Sequence, residues 1–157
     1  GNSLSELVPQ MKAFWPEAKG KIHIDAWREV TFVDNHSIEI ISKEAAVANA
    51  AQLFFINLGG YKENEFEEYH YKILATGTSL AEATKKAKAT SFFKHYGFKG
   101  ATSHIDDKFG IDVDDIFNVA DILSPELKEK FALKISKNNI NFEDELHIGY
   151  LKLEKIV

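Results

Sequence analysis

Two stretches of this chain carry apolar residues at helical spacing, and each begins with the same capping sequence. Ser3-Leu-Ser-Glu6 and Ser79-Leu-Ala-Glu82 both place a serine three residues ahead of a glutamate, which is the signature of a helix N-terminus. Apolar residues then recur every three or four positions, so the spacing predicts helices over 3–14 and 79–95. Pro9 lies inside the first helix, where it kinks the helix or delays its start.

Alternating and continuous apolar runs elsewhere predict strands. The run Leu53–Leu58 has the continuous apolar character of a central strand, and the Gly59-Gly60 pair after it predicts a tight turn. Further strand-like segments are 21–30, 37–41, 68–76 and 146–153. The alanine-rich stretch 44–52 predicts a short helical connector, and Ser124-Pro125 predicts the start of a short helix. A helix followed by several strands thus occurs twice, which predicts an α+β fold with the helices on one face of a mainly antiparallel sheet.

Short sequences also recur along the chain in the same order. They are the two capping boxes, His23-Ile-Asp25 with His104-Ile-Asp106, and Ile41-Ser-Lys43 with Ile135-Ser-Lys137. We therefore expect one domain over 1–157, built from two pseudo-equivalent copies (about 1–58 and 77–153) that are joined by a hairpin strand at 68–76. Repeated units bury their apolar faces against each other, so a pseudo-twofold axis would bring equivalent residues together.

Composition limits what such a domain can do. The chain has 157 residues, of which 45% are hydrophobic and 27% charged, as in an ordinary soluble domain. Its net charge is −5 and Arg28 is its single arginine, so we expect no nucleic-acid partner. The absence of cysteine excludes disulfides, thiolate catalysis and zinc–thiolate sites. The lack of cysteine also fits a reducing compartment, so we expect a cytoplasmic protein. No apolar run reaches about 18 residues, so we expect no membrane span.

Several segments resemble a known bacterial family. They are Lys21-Ile-His-Ile-Asp-Ala-Trp27, Leu53-Phe-Phe-Ile-Asn-Leu-Gly-Gly-Tyr61, Glu67-Glu-Tyr-His70 and Gly77-Thr-Ser-Leu-Ala-Glu-Ala83. Together they resemble the bacterial domain of unknown function numbered 1543, and the resemblance covers most of the chain. Members of that family open with a hairpin of their own, so the resemblance implies that an N-terminal hairpin is lacking here. It implies no activity and supplies no catalytic residues.

Histidine–carboxylate pairs are the candidate chemistry of the chain. On a strand, residues i and i+2 point to the same face, so each pair presents an imidazole beside a carboxylate. Such groups serve in general acid–base catalysis and in divalent-metal sites. With Trp27 as a pocket-lining aromatic, the candidate ligand-binding residues are His23, Asp25, Trp27, Glu68, His70, His104 and Asp106. A strand with one face in solvent also has polar residues at every second position, which would produce the same pairs. A purely structural role is therefore an alternative explanation.

Other polar features favour ordinary surface structure. The acidic cluster over 106–115 does not have the spacing of an EF-hand loop and predicts a solvated turn. Gly59-Gly60 has the spacing of no phosphate-binding loop. We therefore expect a non-catalytic cytoplasmic binding or interaction domain that self-associates into a homo-oligomer, with no cofactor and no metal. The alternative is an enzyme or metal-dependent site that uses the His-x-Asp and Glu-x-His strand pairs.

Overall fold

The computed structural model describes residues 1, 3–61, 64, 66–89, 111–140 and 142–156. The helices are α1 (Leu4–Phe14), α2 (Leu80–Lys88) and α3 (Pro125–Lys130). The strands are β1 (His23–Trp27), β2 (Phe32–Val33), β3 (His36–Ser42), β4 (Gln52–Tyr61), β5 (Glu68–Gly77), β6 (Ile111–Asn118), β7 (Phe131–Lys137) and β8 (His147–Lys152). Every pair among the described strands is antiparallel, so the predicted α+β class is confirmed.

The chain divides into two compact units. Gly1–Val30 and Asp144–Val157 form the first unit, and Thr31–Glu143 form the second. The predicted division into copies 1–58 and 77–153 stays a prediction. Within the described ranges, no helix has the length and apolar character needed to cross a membrane.

Both predicted capping boxes start helices. Ser3 Oγ accepts a hydrogen bond from the Glu6 backbone N–H at 3.4 Å, and Ser79 Oγ accepts one from Glu82 at 3.3 Å. The two serines have nearly the same extended backbone, with φ of −150° and −154°. Pro9 lies inside α1 without delaying its start. Residues 90–95 of the predicted second helix lie outside the described residues.

A three-stranded sheet in the second unit has the order β5-β4-β6, so β4 is the central strand that its apolar run predicts. The predicted turn at Gly59-Gly60 is wrong. Gly59 pairs with His70 on β5 and with Asp112 on β6, and Gly60 continues both ladders. Backbone hydrogen bonds on both sides hold the pair extended, which outweighs the tendency of glycine to break a strand.

Helix α2 covers this central sheet and forms the main core with it. Ile56 and Leu58 on β4 are fully buried, as are Ala83 and Ala87 on α2. The two alanines lie four positions apart, so they occupy one face of the helix. Their small side chains let α2 lie close to the sheet.

A second sheet has the order β2-β3-β7. Asp34 and Asn35 join β2 to β3 as a two-residue turn with φ of 48° and 60°, the positive values that a type I′ hairpin requires. The recurring segments Ile41–Lys43 and Ile135–Lys137 begin on β3 and β7, which pair antiparallel with Ile38 opposite Ile135. The two-copy repeat itself is not confirmed.

Two other predicted segments differ from the structure. The alanine-rich stretch 44–52 contains a single 3-10 turn, at Lys43–Ala45, before β4 begins. Asp112, Asp114 and Asp115 lie within β6, so the predicted solvated turn is wrong for that part of the acidic cluster. Pairing with β4 holds these aspartates in a strand despite their low strand propensity. The short helix predicted at Ser124-Pro125 is confirmed as α3, with Ser124 as its N-cap.

The first unit holds α1 and the two-stranded sheet β1–β8. Helix α1 has no buried residue. Among the described residues of this unit, Leu153 is the one buried hydrophobic side chain, at 2% exposure. The sheet of the first unit therefore leaves much apolar surface exposed to solvent.

Candidate functional site

A β-bulge shapes the sheet of the first unit. Ile24 pairs with Leu151 and Ala26 pairs with Ile148, so Asp25 on β1 lies opposite two residues of β8, Gly149 and Tyr150. Gly149 has a φ of +150°, a conformation that residues with side chains rarely adopt. The extra residue changes the alternation of side chains along β8.

The bulge places four ring side chains on one face of the sheet, in two stacked pairs. His23 stacks on Tyr150 with ring centroids 4.4 Å apart and an interplanar angle of 29°. Trp27 stacks on His147 at 4.0 Å and 11°. Because Tyr150 and His147 are three positions apart, a regular strand would have placed them on opposite faces. We call these four residues the aromatic face.

Charged groups surround the aromatic face at its rim. His23 Nε2 lies 3.4 Å from Asp25 Oδ1, and His147 Nδ1 lies 3.9 Å from Glu145 Oε1. Lys152 Nζ lies 4.0 Å from Glu154 Oε1. All three pairs are well exposed, so each contributes little to stability, and the carboxylates and the Lys152 ammonium group remain accessible to other partners.

A shallow cleft of about 240 Å³ runs along β8, lined by Trp27 and residues 147–151. Ile148 is 79% exposed and Tyr150 is 66% exposed. Leu146, just before the strand, is 54% exposed. Exposed apolar side chains concentrated along one strand indicate an interaction surface more than scattered ones do.

The structure brings together three of the seven candidate residues. His23, Asp25 and Trp27 lie on β1 beside the β8 cleft, while Glu68 and His70 lie on β5 in the other unit. Glu68 and His70 are both exposed, with the partly buried Tyr69 between them, as alternation predicts. The third pair, His104 and Asp106, lies outside the described residues. A joint site that uses all three pairs stays a prediction.

His147 and Tyr150, the β8 half of the aromatic face, are not among the candidate residues predicted from the sequence. The pattern of 146–153 predicts a strand but no bulge. An isolated glycine inside a strand pattern is the signal that could have indicated one.

A second polar cluster surrounds Thr76 at the end of β5. The fully buried Thr76 donates its backbone N–H to Asp34 Oδ2 at 2.9 Å, and its backbone carbonyl accepts a hydrogen bond from Lys86 Nζ. His36 Nδ1 lies 2.8 Å from the Asp34 carbonyl oxygen and 3.1 Å from Thr76 Oγ1. Because a carbonyl only accepts, Nδ1 is the donor in its contact with Asp34.

Glu82 completes this cluster at the start of α2. Its Oε2 accepts hydrogen bonds from the Thr78 backbone N–H and from Thr78 Oγ1, both at 2.8 Å. These bonds from Thr78 to the carboxylate lower the pKa of Glu82 below its ordinary value of 4.5. Lys86 Nζ lies 3.8 Å from Glu82 Oε1 and 3.6 Å from Asp34 Oδ2. The polar atoms of this cluster thus bind mainly to one another.

The Thr76 cluster lines a cleft of about 180 Å³, which also includes Ala50, Ala51, Ile135 and Lys137. Lys86 is the residue that ties α2 to β5 and to the β2–β3 turn. The cluster therefore has a clear structural role. Among the described residues, no three histidine, aspartate or glutamate side chains are grouped so that they could hold a metal ion.

The chain is similar in fold to a solved structure of an uncharacterised protein, Il1583 from Idiomarina loihiensis. The two superpose with a TM-score of 0.56 and 18% sequence identity, over 98% of this chain and 80% of that one. No curated protein matches this chain. The family model of the domain of unknown function DUF1543 matches residues 1–40, which include α1, β1 and the start of β3. The resemblance that the sequence indicated to this family is thus confirmed on residues 1–40.

Proposed function

We propose that this chain is a non-catalytic interaction domain that associates through β8 and the aromatic face beside it. The observation that carries the proposal is the unpaired outer edge of β8. Among the described strands, β8 pairs with β1 alone, and Ile148 and Tyr150 on it are largely exposed. An exposed strand edge with apolar side chains readily pairs with a strand of another chain.

The chemistry of the aromatic face favours binding over catalysis. Each histidine on it stacks on a neighbouring ring, and His23 also contacts Asp25. Stacking and the carboxylate contact orient the imidazoles, a structural role that needs no substrate. The alternative, an enzyme or metal-dependent site that uses the His-x-Asp and Glu-x-His pairs, has the His23–Asp25 contact in its favour. In the part of the chain that the structure describes, no three histidine, aspartate or glutamate side chains are grouped as a metal site would need.

Cytoplasmic location belongs to the same proposal. It is supported by a cysteine-free composition, which suits a reducing compartment. Association through an edge strand would require no oxidising environment and no cofactor.

Sedimentation equilibrium over a concentration series tests the proposal. We expect the wild-type chain to associate as its concentration rises, and Ile148→Lys to stay monomeric, because a lysine on an edge strand discourages pairing. Ile40→Lys is the matched control, since Ile40 is an isoleucine on β3 with 65% exposure. It should associate like the wild type. A wild-type chain that is monomeric throughout, or an Ile148→Lys variant that associates normally, would refute the proposal.

A further inference from the structure

The two units share an order of helix and strand among the described residues. In the second unit, β6 is the first described strand after α2, and it pairs with β4, whose other edge is occupied by the antiparallel strand β5. In the first unit, β1 is the strand that follows α1, and it pairs with β8. By this connectivity β8 occupies the position of the central strand β4, but its other edge has no partner among the described strands.

The outer edge of β8 is the edge on which we expect a further strand. By analogy with β5 on β4, that strand would be antiparallel to β8. An isolated two-stranded sheet is marginally stable, and a third strand or a packed face is needed for independent stability. The edge of β1 is the less suitable one, because β1 corresponds to β6, which is an edge strand among the described strands of its sheet.

We propose, on the basis of the function proposed above, that the occupant is β8 of a second copy of this chain. The two strands would pair antiparallel about a twofold axis and form a four-stranded sheet in the order β1-β8-β8-β1. The register that we propose places Glu145 opposite Lys152 of the second copy. Leu146 then lies opposite Leu151, His147 opposite Tyr150, and Ile148 opposite Gly149.

Charge and shape both favour this register. Glu145 and Lys152 are exposed and carry opposite charges, and the twofold axis creates their pair twice. The leucines form an apolar pair, and the exposed Ile148 lies opposite a glycine, which leaves room for its side chain. Cross-strand pairs of these kinds stabilise antiparallel sheets.

A competing register, which also places side chains of the same sheet face opposite each other, is unfavourable. A shift of two positions towards the C-terminus places Glu145 opposite Glu154 and His147 opposite Lys152. Like charges directly opposite each other destabilise a strand pair. A shift of one position would exchange the two faces of the sheet, so that apolar and polar side chains meet.

A charge-reversal cycle tests the register. Glu145→Lys and Lys152→Glu should each weaken the dimer roughly tenfold, because each places like charges opposite each other at both ends of the strand pair. The double variant Glu145→Lys/Lys152→Glu should restore the dissociation constant to within about threefold of the wild-type value. Sedimentation equilibrium measures all four proteins.

The matched control is an intrachain pair of the same chemistry. Glu39 on β3 and Lys134 on β7 lie opposite each other, with Lys134 Nζ 3.0 Å from Glu39 Oε1. The same reversal cycle at these two positions should leave the dissociation constant unchanged. If it altered the dimer as much as the β8 cycle does, a general charge effect would explain both results and the proposal would be wrong.

Cysteine cross-linking gives a second readout, since the chain contains no cysteine of its own. Leu146→Cys/Leu151→Cys should oxidise to a covalent dimer, because residues directly opposite on neighbouring strands have Cβ atoms within disulfide range. Leu146→Cys alone should not, since two copies of residue 146 are far apart in this register. Cross-linking by the single variant would overturn the register.

The outcomes separate this inference from the proposed function. If Ile148→Lys abolishes association but the double reversal fails to restore it and the double-cysteine variant does not cross-link, the second copy does not pair in this register. The interaction function of β8 would then stand with a different arrangement. A wild-type chain that never associates would refute both.

Discussion

The indole of Trp27 stacks on the imidazole of His147, with ring centroids 4.0 Å apart and planes 11° from parallel. The two residues are directly opposite each other on β1 and β8, so the stack joins the two strands of the first unit. This unit has one buried hydrophobic side chain among its described residues, so we expect a cross-strand pair of this kind, worth about 0.2–1 kcal/mol, to matter for its stability.

Removing either ring should therefore destabilise the first unit. The loss in the free energy of unfolding of the double variant should be smaller than the sum of the losses of the two single variants. We expect a coupling free energy of about 0.5–1.5 kcal/mol between Trp27→Ala and His147→Ala, the range measured for aromatic pairs. Urea unfolding of the two single variants and the double variant, followed by circular dichroism, gives this value. Trp15→Ala combined with His147→Ala is the control, since Trp15 is not a partner in this stack. Equal coupling in both cycles would contradict a specific Trp27–His147 interaction.

Lys86 should stabilise the second unit through its ammonium group. Its Nζ donates a hydrogen bond to the Thr76 carbonyl and lies within 4 Å of the Asp34 and Glu82 carboxylates. Lys86→Met keeps most of the aliphatic chain but removes the charge and the donor. We expect a loss of about 1–2 kcal/mol in the free energy of unfolding, as for a hydrogen bond that involves a charged group near the surface.

Lys85→Met is the matched control for this change, because Lys85 is an exposed lysine on the same helix. It should change the free energy of unfolding by less than about 0.5 kcal/mol. If the two variants are equally stable in urea unfolding, Lys86 does not fasten α2 to β5.

The elements that the sequence predicted well are those that local chemistry determines. Ser3 and Ser79 predicted the starts of α1 and α2 because an N-cap needs only residues within one turn. Asp34-Asn35 forms the β2–β3 turn for a similarly local reason, since few residues tolerate the positive φ that it requires. Gly59-Gly60 was misinterpreted because its conformation depends on β5 and β6, which are distant in the sequence.

The candidate site was predicted only in part, and for the same reason. Alternation along β1 correctly places His23, Asp25 and Trp27 on one face, since that strand contributes a single residue to the bulge. Alternation fails on β8, where the bulge at Gly149 moves Tyr150 onto the face of His147. The pairing of β1 with β8 and the position of the bulge depend on contacts between segments that are distant in the sequence. The sequence of either strand alone does not predict them.

Glu82 should make the stability of the second unit depend on pH. Hydrogen bonds from Thr78 lower the pKa of this carboxyl group in the folded chain below its ordinary value of 4.5. The unfolded chain therefore takes up the proton first as the pH falls, so the ionised Glu82 stabilises the fold above pH 4.5. That contribution is lost as the pH falls further, through the lowered pKa of the folded state.

Glu82→Gln should therefore be less stable than the wild type at neutral pH, and the difference should shrink on acidification. Urea unfolding at several pH values between neutrality and about pH 3 measures it. Glu129→Gln on α3 serves as the control for removing an exposed carboxylate from a helix. A Glu82→Gln difference that stays constant over this range would contradict the role of the ionised carboxylate.

The close approach of α2 to its sheet depends on the small side chain of Ala83. This residue is fully buried against the core that contains Ile56 and Leu58, whereas Ala81 on the same helix is exposed. Ala83→Leu adds three carbon atoms where the packing has no room, and we expect it to lower the free energy of unfolding by about 1–3 kcal/mol. Ala81→Leu has the same composition and nearly the same helix propensity, so it should change stability by less than about 0.5 kcal/mol. Thermal and urea unfolding of both variants measure the difference. If Ala83→Leu were as stable as Ala81→Leu, α2 would have room to move away from the sheet. The small side chain of Ala83 would then not determine the distance between α2 and the sheet.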